Sequence, residues 1–273
     1  MCSDFEYAGE MLSDYGMMIC SFDNGVGIET VSSGADITFN QIKPTGSNRF
    51  LLYSSTYNES LSATFQICKN PCIYKNNTAM EISIEEVSAI QRWLCRKDGY
   101  KRFKLVKEGF ENIYWNGTFS SKQIVLDEKI IGLELTIYTD SPFAFMDEVS
   151  TEYNCSAGTS FYLWDNSDEV TDFNNTIRPY MEIVLLSDGD FVLKNSMDEK
   201  SMEIKDCKQN EVITIDGKNQ IINTSLSTHN IANDFNYYFP QIINTYNNRC
   251  NEFTPSLDCK IKITYSPIRK VGF

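Results

Sequence analysis

Apolar and polar positions alternate along most of the chain with a period of two, which is the spacing of a half-buried β-strand. The clearest examples are residues 63–67 and 133–137, where every second side chain is apolar. Shorter segments with the same alternation are separated by Gly, Asn, Asp or Pro; they are residues 36–42, 49–53, 103–106, 112–119, 180–186 and 257–265. The pattern predicts a mainly β protein.

Two Asp-Gly pairs are hairpin signals, because Asp and Gly tolerate the positive φ angles of tight β-turns. Asp188 and Gly189 stand before residues 190–194. Asp216 and Gly217 separate residues 211–215 from residues 218–223. We therefore predict a strand pair around each turn.

One segment follows a helical period instead. Ser83 and Glu86 have the spacing of a capping box, which satisfies free backbone N–H groups at a helix start. The apolar residues that then share one helical face are Val87, Ile90 and Leu94, with Trp93 beside them. Gly99 is suited to end the helix. The pattern predicts one helix, over residues 84–97, that packs its apolar face on a sheet.

The alternation breaks at Ser141 and Pro142, directly after the strand predicted over residues 130–139. We predict two domains on either side of this break. Residues 1–145 form a β-rich domain that contains the helix, and residues 146–273 form a β-sandwich.

Charge and cysteine content narrow the function. The net charge of −13 should repel nucleic acid and anionic membranes outside local basic patches. The nine cysteines are odd in number and show no paired framework, which indicates reduced thiols made in a reducing cytosol. Cys68 and Cys72 have the closest spacing, but no second pair or nearby histidine completes a metal site. We predict no disulfide, no metal site and no cofactor.

The sequence has no GxSxG, HExxH, P-loop or GxGxxG motif, which favours a protein that is not an enzyme. His229 is the one histidine and lies in the polar stretch 225–236, which predicts a surface loop. Residues 165–172 are acidic, but Val170 stands where a calcium loop needs glycine, so a solvated acidic loop is expected. A wall-degrading enzyme with two carboxylates on separate strands remains an alternative.

Basic side chains are concentrated in one short region of this acidic chain. They are Arg92, Arg96, Lys97, Lys101, Arg102, Lys104 and Lys107. One interpretation is that they complement the helix dipole and decorate an exposed strand. As a functional surface, the cluster favours an acidic partner, and the simplest such partner is a second copy of the same acidic chain. We predict a subunit interface.

Several stretches, taken in order, resemble the distal tail proteins (Dit) of long-tailed phages, which are components of siphophage tails. In the first half these are residues 5–9, 13–19, 53–55, 61–69, 92–94, 103–105, 114–119 (YWNGTF), 131–136 and 141–144. In the second half, residues 211–217 (EVITIDG), 239–240 and 260–267 resemble the galectin-like module of the family. Residues 244–251 depart from the family pattern, because they are polar and hold Cys250 where a glycine-bearing turn is usual.

The resemblance implies a galectin-like, jelly-roll sandwich in the second domain and a hexameric ring of first domains at the virion tail tip. The ring would join the tail tube protein to the hub or tail-fibre protein and support receptor-binding proteins. Such work depends on large complementary surfaces and needs no catalysis. A closed ring needs contacts between different patches of neighbouring copies, and the basic cluster would supply one of them.

A carbohydrate-binding adhesion module that serves host attachment is the second functional hypothesis, because jelly-roll domains commonly bind glycans. Tyr162 and Trp164 would stack on a sugar ring. The competing expectation, which we favour for Trp164, is that it packs in the core at a strand end.

Overall fold

The protein is described by a computed structural model that covers residues 4–22, 33–74, 80–172, 176–198 and 200–273. The chain divides into two compact units: Met1–Met146 together with Arg269–Phe273, and Asp147–Ile268. Strands dominate both units, so the predicted mainly β class is confirmed.

Antiparallel strands build one large sheet in the first unit. The strands are β1 (Phe5–Tyr7), β2 (Glu10–Met11), β3 (Met17–Cys20), β4 (Ile37–Ile42), β5 (Leu51–Tyr57), β6 (Ser62–Lys69), β7 (Lys101–Leu105), β8 (Ile113–Leu126), β9 (Lys129–Thr139) and β10 (Ala144–Met146). The sheet has the order β2-β1-β7-β8-β9-β6-β3, and β10 pairs with the first residues of β8. Strands β4 and β5 stand outside this sheet and pair with each other. A 3-10 turn spans Leu12–Tyr15.

Helix α1 (Ile84–Leu94) covers one face of the sheet and closes an aromatic core. The Ser83 hydroxyl accepts a hydrogen bond from the Glu86 N–H, and the Glu86 carboxylate accepts one from the Ser83 N–H, so the predicted capping box is confirmed. The buried helix residues are Val87, Ile90, Trp93 and Leu94. They belong to one core cluster with sheet residues that include Phe5, Tyr7, Phe103, Trp115 and Phe119.

The helix ends at Leu94, three residues earlier than predicted. The side chain of Arg96 folds back and its Nε donates to the carbonyl oxygen of Trp93 at 2.9 Å. This bond satisfies one of the carbonyl groups that every helix leaves free in its last turn. Gly99 has a left-handed φ of 96° but lies beyond this closure. A basic side chain therefore ends the helix, and the glycine does not.

The second unit is a β-sandwich of two antiparallel sheets. After residue 147 the strands are β11 (Val149–Cys155), β12 (Phe161–Trp164), β13 (Tyr180–Leu185), β14 (Gly189–Asn195), β15 (Ser201–Cys207), β16 (Val212–Asp216), β17 (Ile221–Thr224), β18 (Cys250–Pro255), β19 (Cys259–Tyr265) and β20 (Ile268–Arg269). One sheet has the order β11-β19-β13-β16-β17, and the other has the order β12-β18-β14-β15, so that β20 belongs to neither. Alternate residues of these strands are buried, as expected for sheets with one face on a core. A short helix that the sequence does not predict, α2 (Ile231–Asp234), follows β17.

The two predicted hairpins have opposite outcomes. The Asp216 turn is confirmed, because β16 and β17 pair antiparallel and the Asp216 carboxylate accepts from the Asn219 N–H at 2.9 Å. The Asp188 turn is wrong as a hairpin, because it leads from β13 in one sheet to β14 in the other. Its carboxylate instead accepts from the Gln209 N–H at 2.6 Å. An Asp-Gly turn can join two strands of one sheet or two strands of different sheets. Which of these forms depends on pairing with strands that are distant in sequence.

The burial of the helix face gives a stability prediction. Truncation of the fully buried Leu94 to Ala should lower the free energy of unfolding by about 2–5 kcal/mol, because it removes apolar contacts and leaves a cavity. Urea denaturation of the full chain measures this. The matched control is Ile84→Ala on the same helix, where the side chain is exposed and the loss should stay below about 0.5 kcal/mol. Equal losses at both positions would contradict the packing described here.

Candidate interaction surfaces

The seven basic residues predicted as an interface fall on two different faces of the first sheet. Phe103 and Leu105 of β7 are buried in the core that α1 covers. Arg102 and Lys104 alternate with them, so they point to the opposite face of the sheet. Arg92, Arg96 and Lys97 lie in or directly after α1, on the helix side. The cluster that is continuous in sequence is therefore divided by the sheet.

Several of these cations are already held by neighbouring groups. Arg96 lies 3.7 Å from Glu10, and Lys101 lies 2.9 Å from Asp98. The Arg102 guanidinium lies 4.0 Å from the centre of the Tyr114 ring, and the Lys107 ammonium lies 4.9 Å from that of Phe110. Such cation–π contacts fix the position of a charge without neutralising it.

The three remaining cations differ in their surroundings. Lys104 is opposite Glu6 on β1 and donates to the Glu111 carbonyl at 3.4 Å. Arg92 and Lys97 are exposed on the helix side.

The β4–β5 hairpin carries the most exposed apolar surface of the first unit. Its large side chains that face solvent are Ile37, Phe39, Ile42, Leu51, Leu52 and Tyr53, together with Phe50 just before β5. Phe39 is 57% exposed and Tyr53 is 75% exposed. In the described residues the hairpin pairs with no other strand. Its base is anchored to the unit, where the Tyr57 ring packs edge-on against Phe143 with centroids 4.8 Å apart.

Strand β12 presents a second apolar surface. Phe161 and Leu163 point into the sandwich, whereas Tyr162 and Trp164 point outward and are 61% and 60% exposed. The expectation that Trp164 packs in the core is therefore wrong. The alternation along β12 places Trp164 on the outer face once Phe161 and Leu163 fill the core, and the sequence segment before Asp165 is too short to reveal that register.

Two family models of phage tail proteins match nearly the whole chain. A family model described as "Phage tail protein N-terminal domain" matches residues 1–141, and one described as "Phage tail C-terminal domain" matches residues 143–265. The chain belongs to this phage tail protein family.

The fold of this tail protein is similar to the crystal structure of the SPP1 Dit (gp 19.1) protein, with a TM-score of 0.67 at 11% sequence identity. The similarity covers 97% of this chain and 99% of that one. The SPP1 protein is described as a paradigm of the hub adsorption apparatus in phages that infect Gram-positive bacteria. The resemblance to distal tail proteins is thus confirmed in the fold, and the chain is a phage tail protein with a Dit-like fold. A search of curated proteins finds no match.

The acidic stretch 165–172 of the tail protein is not the solvated loop that the sequence predicts. Asp165 and Ser167 are fully buried. The Asp165 carboxylate accepts from the Ser167 N–H at 3.2 Å and from the Asn244 side-chain amide at 2.9 Å. Asn244 also donates to the Ser167 carbonyl at 3.0 Å. A buried carboxylate is tolerated when hydrogen bonds replace its water, and the partner at residue 244 is distant in sequence.

The polar stretch 244–251, where the sequence departs from the family pattern, forms part of the same interior. Asn251 is fully buried. Its side chain accepts from the Asn195 side-chain amide at 2.9 Å and from the Ile243 N–H at 2.8 Å, and it donates to the Ile243 carbonyl at 2.9 Å. The turn itself is closed by Thr245 and Asn248, whose backbone N–H and C=O groups bond at 2.8 Å. Buried asparagines therefore replace the expected glycine-bearing turn.

His229 is also buried, although the stretch around it was expected to be a surface loop. Its side chain is 4% exposed, and its Nδ1 lies 2.6 Å from the fully buried Glu211 carboxylate. Its Nε2 lies 3.5 Å from Asp234. Glu211 further accepts from the Thr224 hydroxyl and from the Lys208 N–H at 2.9 Å. This closed cluster ties the stretch 225–236 to the sandwich.

The electrostatics of this cluster favour the ionised form of Glu211. Burial alone would raise the pKa of Glu211, but the hydrogen bonds from Thr224, His229 and Lys208 lower it below its ordinary value of 4.5. The carboxylate thus stays charged in the interior and serves as a structural anchor.

The two cysteines with the closest spacing in the sequence lie on β6 and in the turn that follows it. Cys68 on β6 hydrogen-bonds to Cys20 on the neighbouring β3, and this bond lowers the pKa of the Cys68 thiol below its ordinary value. Cys72 lies in the following turn, where its N–H donates to the Asn70 side chain at 2.9 Å. Within the described residues there is no group of three or more His, Cys, Asp or Glu side chains suited to a metal ion. No described helix is long and apolar enough to cross a membrane.

The Glu211 cluster predicts how stability depends on pH. Because the pKa of Glu211 is lowered by folding, its contribution is present above about pH 4.5 and is lost as the pH falls through the lowered value. Glu211→Gln should reduce the free energy of unfolding at neutral pH by about 1–3 kcal/mol, since an amide in place of the buried carboxylate leaves some of its hydrogen-bond donors unsatisfied.

Denaturant unfolding between neutral and acidic pH tests this. The wild type should lose its advantage over Glu211→Gln as the pH falls, whereas the exposed control Glu152→Gln should follow the wild type throughout. A constant difference between wild type and Glu211→Gln at every pH would be inconsistent with an ionised anchor.

Proposed function

We propose that this tail protein is a structural component of the virion tail tip and forms a ring, with six copies as the expected number. The region 1–145 would form the ring, and the region 146–273 would be its galectin-like module. The ring would join the tail tube protein to the hub or tail-fibre protein and support receptor-binding proteins. Its role would be assembly and host attachment without catalysis.

The exposed β4–β5 hairpin is the observation that carries the ring proposal. An isolated two-stranded hairpin is at best marginally stable in water. This one also turns large apolar side chains to solvent, and contiguous exposed apolar surface marks interaction sites. A partner that covers both Phe39 and Tyr53 would stabilise the hairpin and remove that surface from water.

A second copy of the chain is the partner that fits best. In a closed ring each copy offers one patch to a different patch on its neighbour. A hairpin that is anchored at Tyr57, and that pairs with no other strand in the described part of the chain, is suited to reach across such a contact. Similarity to a hub adsorption protein over nearly the whole chain supports the same role.

The basic residues would fix how neighbouring copies align at this contact. Exposed charge pairs contribute only about 0–1 kcal/mol each, but several together steer association and disfavour wrong partners. Because the sheet separates the two groups of cations, we assign the ring contact to the helix-side group of Arg92, Arg96 and Lys97. Acidic side chains of the neighbouring copy would face it, as the net charge of −13 allows.

Removal of apolar side chains from the hairpin tests the ring. The double variant Phe39→Ser with Tyr53→Ser should leave the fold intact, because both side chains are exposed, and should lower the average particle mass. Light scattering and negative-stain imaging measure assembly against the 31.3 kDa subunit mass. The matched control Tyr180→Ser removes an exposed ring from β13 and should assemble like the wild type. Normal rings from the double variant would refute the role of the hairpin.

Charge reversal tests the basic contact separately. Arg92→Glu with Lys97→Glu should reduce ring yield, and high salt should have a weaker effect of the same sign because it screens exposed charges. The control Lys205→Glu with Lys218→Glu makes the same change in net charge on exposed positions of the sandwich. If both double variants lose assembly equally, total charge and not a local contact is responsible.

A further inference from the structure

The outer face of β12 bears two aromatic rings side by side. Tyr162 and Trp164 are two residues apart on one strand, so their side chains emerge on the same face about 7 Å apart. Outward positions of a sandwich strand are normally polar, because water covers that face. Two large, largely exposed rings at consecutive outward positions therefore need a reason other than packing.

Polar side chains lie directly beside the two rings. On the neighbouring strand β18, Glu252 is opposite Tyr162. One step further along the same face, the hydroxyls of Ser160 and Thr254 are 2.8 Å apart and bond to each other. Lys194 of β14 is opposite Thr254. The face thus places a row of hydrogen-bonding groups next to a row of flat apolar surfaces.

Strand β12 lies at the edge of its sheet, and side chains of the same unit bind carbonyl groups along that edge. The Tyr153 hydroxyl donates to the Tyr162 carbonyl at 3.2 Å, and the Tyr265 hydroxyl donates to the Trp164 carbonyl at 3.5 Å. A peptide that adds to a sheet must use such edge groups. Because side chains of the same unit already bind these two carbonyl groups, an added strand could not pair fully with this edge, and the face of β12 is the better available surface.

The end of β12 is held rigidly. Asp165 follows Trp164 directly, and its N–H donates to the Arg249 carbonyl at 2.9 Å while its buried carboxylate binds Ser167 and Asn244. The backbone that carries the aromatic pair is thus fixed before any ligand arrives. A preformed surface loses less conformational entropy on binding.

We propose that Tyr162, Trp164 and the adjacent polar side chains of β18 form a binding platform for a neutral polysaccharide. Pyranose rings have one face rich in C–H groups, which stacks on aromatic rings, and a rim of hydroxyls, which bind carboxylate and hydroxyl side chains. Two neighbouring aromatic rings suit consecutive sugars of one chain. The net charge of −13 disfavours anionic polymers, including nucleic acid, so the ligand is a neutral glycan. This proposal does not depend on ring formation.

The tryptophan content of the chain makes the platform directly observable. Of the three tryptophans, all of them described, Trp93 and Trp115 are buried and Trp164 is exposed. Quenching of intrinsic fluorescence by acrylamide therefore reports mainly on Trp164. The full chain would be titrated with N-acetylglucosamine oligomers of increasing length, galacto-oligosaccharides and dextran as neutral probes, and with dextran sulfate as the anionic probe.

A neutral probe that binds the platform should protect Trp164 from acrylamide, with affinity that rises with oligomer length, and dextran sulfate should not. Trp164→Ala and Tyr162→Ala should each weaken binding about tenfold or more, as truncation of an aromatic anchor does, when affinity is measured by calorimetry. Trp164→Phe should retain part of the affinity because it keeps a flat ring. The control Tyr180→Ala, on the other sheet of the same unit, should bind like the wild type.

The proposal would be overturned if none of the neutral probes protected Trp164 from acrylamide. Unchanged binding by Trp164→Ala would also overturn it. A fall in particle mass caused by Trp164→Ala would also overturn it, because the surface would then be a contact between copies. Since light scattering on the same samples reports ring formation, failure of the platform and failure of the ring are distinguished.

Discussion

The attachment of Trp93 to the sheet is the interaction on which the arrangement of the first unit depends. The indole ring stacks on Tyr15 with centroids 4.5 Å apart and on Phe5 at 5.7 Å, and its Nε1 donates to the Tyr7 carbonyl at 3.0 Å. A buried indole needs such a partner, because an unpaired N–H in the core costs free energy. One side chain therefore fixes both the rotation of α1 and its position along β1. Since cores tolerate little displacement, this contact also determines where Arg96 and the residues after it emerge.

Local patterns in the sequence were sufficient wherever a structure depends on neighbours in the chain. The capping box at Ser83, the buried face of α1 and the hairpin at Asp216 each rest on contacts within a few residues, and all are present. The end of α1 at Leu94 could not be predicted from local patterns. A side-chain hydrogen bond from Arg96 closes the last turn before the chain reaches Gly99, the residue type expected at a helix end. The Asp188 turn could not be assigned, since its chemistry is the same whether the next strand joins the same sheet or the opposite one.

The interior of the second unit shows why the polar stretches were misjudged. Asp165, His229 and Asn251 all lie in segments with the composition of surface loops, yet all three side chains are buried. Each is satisfied by a partner far along the chain: Asn244 for Asp165, and Glu211 for His229. The composition of a segment indicates how much free energy is needed to bury its polar side chains. It does not show whether the folded chain supplies hydrogen bonds that compensate for this cost. Trp164 is the opposite case, because its apolar side chain suggests burial but the register of β12 leaves it exposed.

Some of the basic side chains are already fixed by contacts within one chain, and this affects how strongly they could stabilise a ring contact. Long basic side chains normally lose much rotamer freedom when they become fixed in an interface, and this loss offsets most of the gain from an exposed ion pair. In this protein the bond from Arg96 to the Trp93 carbonyl already restricts that side chain in the single chain. Arg102 is restricted in the same way by the Tyr114 ring. Association with an acidic surface would then order fewer torsions than the same pairs between free side chains. The internal contacts of these residues, which divide the cluster between two faces, therefore also prepare each face for a partner.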